Sequence, residues 1–324
     1  MPLVWILTNG SKPHERSYRS AVDLHAELVP HLGEDVLLVH EEDIMQRSCC
    51  ERGLALFRGE QELPIPQLVF VRIGSDVMDP NFTYTLLIHL EKMKVRLINS
   101  YEATQLATNK ALTYQILSSH GESSLLISCH HNNHLGIPIP VSYTYSQFNI
   151  SKVDISFLDD ALGYPMVVKA VRGHGGRRVH LIENANALHQ LFENASHDVP
   201  FVFQEYIKES HGRDLRVAVI GGEVAFTMMR RAQNNNFCAN LTQGGDGELV
   251  TGSYPEAEVL AIRIAAVLGM DVAGVDLLWS EQHGYVCCEV NNNFSMVTYR
   301  VYGRVAIEKS AALILRRLDE INSR

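Results

Sequence analysis

Short apolar runs alternate with amphipathic segments over residues 3–100. The apolar runs are Leu3–Thr8, 35–40 ("DVLLVH"), 67–75 ("QLVFVRIGS") and 93–100 ("MKVRLINS"). Between the first two runs, residues 17–31 carry apolar side chains at helical spacing. Strands that alternate with helices are typical of a parallel sheet. This segment is therefore predicted to form an α/β domain, with ligands beyond the carboxyl ends of its strands.

Beyond residue 165, strands follow one another with tight turns between them. Single strands are predicted at 165–170 ("PMVVKA") and 201–207 ("FVFQEYI"), a hairpin at 215–231, and a strand pair at 272–293. The hairpin turns at Gly221-Gly222, and the strand pair turns near Gly284. Helical spacing returns at 101–121, 255–269 and 303–319. The pattern as a whole predicts an α/β fold that begins with a parallel sheet.

Composition narrows the classes of function. The 324 residues are 46% hydrophobic and 20% charged, so a sizeable core is expected. The net charge of −9 argues against non-specific binding to nucleic acid or to an anionic membrane. The start "MPLVWILTNG" has no basic n-region, and no apolar stretch approaches the ~20 residues that span a bilayer. The six cysteines form no C-x-x-C pattern, so reduced thiols and a cytoplasmic location are expected.

A basic, glycine-rich turn follows the apolar strand that ends near Lys169. In "RGHGGRR" (172–178), Gly175 and Gly176 would let backbone N–H groups approach a phosphate, and the arginines add positive charge. The turn is not a P-loop, because it lacks G-K-[ST] and a strand rather than a helix follows it. The alternatives without a ligand are a mobile hairpin turn for residues 172–178 and a surface position for Lys169. Because Lys169 and this turn lie close together along the chain, a phosphate partner is favoured.

Two carboxylates and an amide lie on the last pair of predicted strands. Asp276 is in "GVDLL", and Glu289 and Asn291 are in "CCEVN". Side chains two residues apart on a strand share one face, and a turn near Gly284 would bring Asp276 beside them. Such oxygen donors suit Mg²⁺ bound together with substrate phosphates. The alternative is a pair of hydrogen-bonded acids near the surface.

These motifs resemble the ATP-grasp superfamily and, within it, the RimK-type carboxylate–amine ligases. The segment "FQEYIKESHGRDLRVAVIGGEV" (203–224), followed by "AGVDLL" and "EVN", carries the resemblance. It implies an N-terminal α/β domain followed by a two-lobed ATP-grasp domain. The implied boundaries are 1–102 for the N-terminal domain, 103–205 for the first lobe with its lid, and 206–324 for the second lobe with the metal site.

Other motifs are similar to particular branches of that family. "HLEKMKVRLIN" (89–99) and "ESHGRD" (209–214) are similar to the animal branch, which joins glutamate to N-acetylaspartate or citrate. "VRIGS" (71–75) is similar to the bacterial branch, which adds glutamate to a protein C-terminus. The implied chemistry is phosphorylation of a carboxylate by ATP, followed by attack of an amine on the acyl phosphate. No cysteine is needed as a nucleophile.

The resemblance also implies roles for individual residues. Lys110 and Lys169 would hold the α- and β-phosphates, and Arg230 would contact the γ-phosphate, so Arg230 and Lys169 are the expected catalytic residues. Gly175 and Gly176 would belong to a lid that excludes water. The other expected nucleotide contacts are Gln204, Glu205, Tyr206, Ile207, Asp214 and Asn240. The expected ligands of two Mg²⁺ or Mn²⁺ ions are Asp276, Glu289 and Asn291.

Arg72 is the expected substrate residue. It ends the apolar strand in "FVRIGS", and ligands of parallel sheets lie beyond such ends. A guanidinium can grip a carboxylate with two parallel hydrogen bonds, and the substrates that the resemblance implies are rich in carboxylates. The alternative is a structural ion pair. The expected partners are thus a small carboxylic acid and an amino acid, and an assembly of several copies is compatible with the sequence.

Three stretches depart from the family's pattern. They are Asn292–Ser295, where small residues and Pro-Gly are common; Cys238-Ala239, where Arg-Ser or Gln-Ser is common; and 122–136, which looks like an extra loop. His130, His131 and His134 in that loop have no carboxylate or cysteine at metal-ligand spacing, so a solvated loop is expected. Two alternatives stay open: a non-catalytic ATP-binding regulator, and a ligase acting on a protein C-terminus. A nicotinamide dehydrogenase is disfavoured, because "ILTNGSKPHE" lacks the glycine fingerprint.

Overall fold

The computed structural model describes residues 3–9, 16–73, 80–120, 136–145, 155–173, 178–194, 200–234, 236–239, 245–296 and 302–323. Gly175, Gly176, Asn240 and residues 122–135 of the extra loop lie outside these ranges, and so do its three histidines. No helix in the described ranges is long and apolar enough to cross a membrane.

The N-terminal sheet has four parallel strands in the order β2-β1-β6-β7. They are β1 (Val4–Thr8), β2 (Val36–His40), β6 (Leu68–Arg72) and β7 (Arg96–Ile98), with helices α1 (Arg16–Leu32) and α2 (Pro80–Lys92). All five positions of β1 and of β6 are buried, as is typical of strands covered on both faces. A small antiparallel sheet is formed by β3 (Met45–Cys49), β4 (Gly53–Arg58) and β5 (Gln61–Glu62). The predicted N-terminal parallel sheet is confirmed.

The single helix predicted over 101–121 is two helices in the structure, and this part of the prediction was wrong. Helix α3 (Tyr101–Thr108) ends before Asn109, and α4 (Lys110–Ser119) begins after it. Asn109 is extended, with φ −121° and ψ 101°, and its side chain accepts a hydrogen bond from the Leu112 N–H. Asparagine is a preferred N-cap residue, so α4 starts afresh here, and Lys110 becomes its first residue.

The second sheet is antiparallel and has the order β10-β9-β11-β8. Its strands are β8 (Ser142–Thr144), β9 (Met166–Ala170), β10 (Val179–Ile182) and β11 (Phe201–Glu205), with helices α5 (Ile155–Leu162) and α6 (Ala185–Asn194). Leu158 of α5 and Phe192 of α6 pack with Met166 and Phe203 in one core.

The third sheet is antiparallel and has the order β14-β13-β12-β15-β16. Its strands are β12 (Arg213–Ile220), β13 (Glu223–Arg231), β14 (Asp246–Leu249), β15 (Val272–Ser280) and β16 (Gly284–Asn291), with helices α7 (Pro255–Val267) and α8 (Tyr302–Asn322). The predicted turn at Gly221-Gly222 joins β12 to β13, and both glycines have positive φ, 62° and 83°. Alternate residues of β12 pack on opposite sides, Val217 and Val219 with α7 and Ala218 and Ile220 with α8.

Helix α8 joins the third sheet to the N-terminal sheet. Its Ile314 lies in one buried cluster with Ile6 of β1, Leu24 of α1 and Phe226 of β13. Polar contacts reinforce this junction. Asp271 accepts hydrogen bonds from Arg96 at 2.9 Å and Arg317 at 2.7 Å, and the Asn99 amide exchanges two bonds with the Val272 backbone, of 2.7 and 2.8 Å. The N-terminal sheet and the third sheet therefore share a continuous core.

Candidate active site

A cleft with a volume of about 100 Å³ lies between the second and third sheets. Among its lining residues are Lys110, Lys169, Gln204, Glu205, Tyr206, Ile207, Asp214, Arg230, Asp276 and Glu289. The structure thus brings together residues that are far apart in the sequence and that were assigned to phosphate, nucleotide and metal. Arg72 and Asn291 are not among the residues that line this cleft.

Two buried lysines reach the cleft, and their environments differ. The Lys110 Nζ lies 3.0 Å from Glu289 Oε1 and donates to the Gly173 carbonyl at 2.7 Å. The Lys169 Nζ donates to the Cys288 carbonyl at 3.3 Å and lies 5.1 Å from the centre of the Tyr114 ring. Within the described part of the chain, Lys169 has no carboxylate partner. Glu289 therefore neutralises Lys110, whereas the described contacts of the Lys169 Nζ are a carbonyl and the face of a ring.

A β-bulge explains why the Cys288 carbonyl lies beside Lys169 and Tyr114. Asp276 pairs with Glu289 across β15 and β16, but Leu277 pairs with Cys287, so Cys288 is the extra residue. Its carbonyl accepts from the Tyr114 hydroxyl at 2.5 Å as well as from Lys169. Tyr114 lies four residues after Lys110 on α4, which places both side chains on the same face of the helix.

Two arginines and two aspartates form a buried network on the other side of the cleft. Arg230 donates to both oxygens of Asp214, each at 2.6 Å, and its Nη2 lies 3.0 Å from Asp276 Oδ2. Arg216 also donates to both oxygens of Asp276. Burial alone would raise the pKa of Asp276, but Arg216 and Arg230 outweigh it and hold that pKa below its usual value. Asp276 is therefore ionised at neutral pH.

The acid set offers oxygen donors on one face of the strand pair. Asp276 and Glu289 are direct partners in the ladder, and Asn291 follows two residues later, with its Nδ2 3.4 Å from Asp276 Oδ2. No group of three or more His, Cys, Asp or Glu side chains in the described ranges could hold a metal by itself. Two carboxylates and one amide fit a magnesium ion whose remaining ligands are phosphate oxygens and water.

The cysteines of the cleft are poor nucleophiles. Cys238 and Cys288 both line it, and all five described cysteines are free thiols. Burial raises the pKa of Cys238 to about 12 and also raises the pKa of Cys288. The thiolate is the reactive form, so these side chains stay protonated at neutral pH.

Arg72 is buried where β6 ends and is not among the residues that line the cleft. It donates to the Ser20 hydroxyl on α1 and to the Phe294 carbonyl beyond β16. Burial lowers its pKa to about 9, so the guanidinium is still charged at neutral pH.

Two contributors to the site are absent from the predicted set. Arg216 is paired with Asp276 across β12 and β15. The sequence signal that could have identified it is its charge within the otherwise apolar strand "LRVAVI". Tyr114 could have been found from its spacing to Lys110. The bulge at Cys288 has no signal in the local pattern, because it depends on how two strands pair.

Comparison with known proteins gives consistent matches. Residues 107–314 match the RimK-like ATP-grasp domain. The chain is 36% identical over 265 residues to human Beta-citrylglutamate synthase B, which covers 81% of this chain and 63% of that protein. It is 32% identical over 262 residues to the Probable alpha-L-glutamate ligase of Aeromonas salmonicida (strain A449), covering 78% of this chain and 80% of that protein.

A solved structure extends the similarity to the whole fold. The D-alanine–D-alanine ligase from Bacillus anthracis complexed with ATP superposes with a TM-score of 0.66 at 14% identity, covering 98% of each chain. At that identity the likeness concerns the fold alone. The fold is that of ATP-grasp proteins, as the sequence motifs implied.

Proposed function

This chain belongs to the RimK-like ATP-grasp family, and from that premise we propose that it is an ATP- and magnesium-dependent ligase. It would join a small carboxylic acid to glutamate or a similar amino acid. Citrate and N-acetylaspartate are the first acids to consider, because the animal relatives are similar to this chain. The chain spans 63% of the length of human Beta-citrylglutamate synthase B.

The observation that carries the proposal is the convergence of charges in one cleft. Lys110 and Lys169 come from one side, and Arg230, Asp276 and Glu289 come from the other. Buried cations that line a cleft are suited to hold phosphates and to neutralise charge that develops during phosphoryl transfer. Asp276, Glu289 and Asn291 would hold magnesium, which when bound supplies further neutralisation of phosphate charge.

The reaction has two steps. First, a carboxylate oxygen of the acid attacks the γ-phosphorus of ATP, the bond to the β–γ bridging oxygen breaks, and ADP leaves with that electron pair. Second, the amine nitrogen attacks the carbonyl carbon of the acyl phosphate. The bond from that carbon to the phosphate oxygen breaks, inorganic phosphate leaves with the electron pair, and the amine loses a proton. The products are an amide, ADP and phosphate.

Residues of this chain would bind and orient the reactants. Lys169, which has no carboxylate partner among the described residues, would contact the phosphates directly, and Arg230 would approach the γ-phosphate. The segment Gln204–Ile207, which lines the cleft, would contact adenine. Gly175 and Gly176 are proposed to cover the phosphates and exclude water, since water hydrolyses acyl phosphates.

An isotope experiment tests the mechanism. Citrate or N-acetylaspartate labelled with ¹⁸O in its carboxylates is incubated with ATP, Mg²⁺ and L-glutamate, and the product and phosphate are analysed by mass spectrometry. An acyl phosphate pathway transfers one labelled oxygen to phosphate for each amide formed. Lys169→Met should abolish this transfer, whereas Lys309→Met, at a surface ion pair with Glu223, should not.

Two results would contradict the proposal. If the protein binds ADP but no dicarboxylate in a panel stimulates ATP turnover, the chain is a non-catalytic regulator. Turnover only with a peptide that carries a free C-terminus would move the chain to the ligases that modify proteins.

A further inference from the structure

The Tyr84 hydroxyl joins two segments that lie far apart in the sequence. Tyr84 belongs to α2, a helix packed on the N-terminal sheet, and is buried. Its hydroxyl accepts a hydrogen bond from Arg172 Nη1 at 2.8 Å, and it is also hydrogen-bonded to the Thr108 hydroxyl. The Arg172 Cζ lies 5.6 Å from the centre of the Tyr84 ring, within the range of a cation–π contact. One side chain therefore holds the end of α3 and the start of the turn 172–178 together.

The direction of these hydrogen bonds follows from the chemistry of the donors. A guanidinium can only donate, so the Tyr84 oxygen is the acceptor from Arg172, and its own O–H is left to donate to Thr108. The Thr108 hydroxyl in turn donates to the Thr104 carbonyl at 3.0 Å within α3. The result is a continuous chain in which each hydroxyl both accepts and donates, so none of its members is replaceable by an apolar group without breaking it.

The two joined segments carry Lys110 and a carbonyl to which it donates. Thr108 lies two residues before Lys110, and Arg172 lies one residue before Gly173. The Lys110 Nζ donates to the Gly173 carbonyl at 2.7 Å, and the Lys110 backbone N–H donates to the Val171 carbonyl at 3.0 Å. The same two segments are therefore held together at three points, one of which is the tyrosine hydroxyl.

The Gly173 carbonyl is an acceptor for Lys110 that does not depend on the metal site. The Lys110 Nζ also lies 3.0 Å from Glu289 Oε1, but Glu289 is a proposed magnesium ligand. A cation bound to that carboxylate would cancel its attraction for the lysine, whereas the neutral carbonyl would be unaffected. An ammonium group has three N–H donors, so a lysine held by one carbonyl keeps two for phosphate oxygens.

We propose, on the basis of the function proposed above, that Tyr84 and Arg172 are positioning residues for the phosphate-binding Lys110. The bond between their side chains fixes the Gly173 carbonyl, and that carbonyl holds the Lys110 Nζ at the cleft, which Lys110 and Gly173 both line. Tyr84 and Arg172 are not among the residues that line the cleft. They therefore act on the nucleotide through Lys110 and not by contact.

A double-mutant cycle on ADP affinity tests this route. Tyr84→Phe keeps the ring and removes the hydroxyl, and Lys110→Met keeps most of the length of the side chain and removes its charge. ADP is titrated calorimetrically, in excess Mg²⁺, into the full chain with neither change, either change or both. Tyr164→Phe is the matched control, because the Tyr164 hydroxyl also donates to a side chain, Asp159, and Tyr164 does not line the cleft. Thermal stability is recorded for every protein.

We expect Tyr84→Phe to weaken ADP binding by about three- to tenfold, on the order of one hydrogen bond. Lys110→Met should weaken it by about 10- to 150-fold, as for a lost charge-assisted hydrogen bond. Adding Tyr84→Phe to Lys110→Met should cause no further loss, because both changes act on the same contact. Tyr164→Phe should bind ADP as the wild type does. A tyrosine that only stabilised the fold would weaken ADP binding equally with and without Lys110.

Two outcomes would overturn the inference: unchanged ADP affinity in Tyr84→Phe, or the same loss from Tyr84→Phe in the wild type and in Lys110→Met. If Tyr84→Phe does not fold, Arg172→Met takes its place in the cycle, with the same expectations.

ATP turnover with the candidate acids and L-glutamate separates this inference from the proposed function. Acid-dependent turnover together with independent effects of Tyr84→Phe and Lys110→Met would refute the positioning role only. The expected cycle without turnover for any acid would support the positioning role and refute the proposed ligase activity. Wild-type protein that does not bind ADP would overturn both.

Discussion

The Glu289 carboxylate pairs with Lys110 and is also a proposed magnesium ligand. Glu289→Gln should separate these two functions. In the structure Glu289 neutralises Lys110, with Nζ and Oε1 3.0 Å apart and both side chains largely buried, at 9% and 20% exposure. A nucleotide phosphate must therefore compete with Glu289 for Lys110 unless a metal ion binds the carboxylate. The amide keeps the shape of the side chain but removes its charge. We expect nucleotide affinity without metal to rise, and magnesium-dependent turnover to fall.

The magnitude follows from the geometry of the pair. At 3.0 Å, with an effective dielectric constant of about 20, the attraction is on the order of 5 kcal/mol before desolvation is subtracted. The net contribution of a charge-assisted hydrogen bond is about 1.5–3 kcal/mol. Release of Lys110 should therefore strengthen ADP binding in a chelator by about 10- to 150-fold. Turnover with saturating Mg²⁺ should drop by at least ~100-fold, as for other lost electrostatic contacts to a transition state.

Calorimetric titration of ADP in EDTA measures the metal-free affinity, and steady-state ATP turnover in excess Mg²⁺ measures the second effect. Glu248→Gln is the matched control, because Glu248 forms an exposed pair with Arg231, with side-chain exposures of 62% and 56%. The control should behave as wild type in both measurements. Unchanged metal-free affinity in Glu289→Gln would show that Glu289 does not restrain a phosphate-binding lysine. Wild-type turnover at saturating Mg²⁺ would remove Glu289 from the proposed metal ligands.

Three further predictions concern the helix beside the cleft and the loop that follows it. Tyr114→Phe removes the 2.5 Å hydrogen bond to the Cys288 carbonyl but keeps the ring. Steady-state kinetics should show a rise of about fivefold in the KM for ATP. An unchanged KM would show that this hydrogen bond does not help to position Lys169. Gly136→Ala would place a Cβ 2.3 Å from the Ser118 carbonyl oxygen. The free energy of unfolding measured by urea denaturation should therefore fall by about 1–3 kcal/mol. An unaltered urea midpoint would contradict this contact. Deletion of 122–135 should leave a soluble, cooperatively unfolding protein, because closure entropy changes slowly with loop length, and aggregation of the variant would show that these residues pack.

Local patterns in the sequence were sufficient for most strands and turns, though not for the break between α3 and α4, and for the shared face of Glu289 and Asn291. The apolar runs at β1 and β6 are buried strands, and Gly221-Gly222 is a turn that needs positive φ. Glu289 and Asn291 share a face because strand side chains alternate with a period of two. These features depend only on residues close together in the chain, so a single sequence contains the information for them.

Tertiary structure alone decided how the groups are paired. Lys110 neutralises Glu289, 179 positions away in the sequence, and Arg72 reaches the Phe294 carbonyl from the N-terminal sheet. The bulge at Cys288 arises from the register of β15 on β16, and it brings the Cys288 carbonyl to Lys169. Local periodicity carries no information about such contacts, because they are set by which strands pair, in which register, and by the packing of the N-terminal sheet through α8.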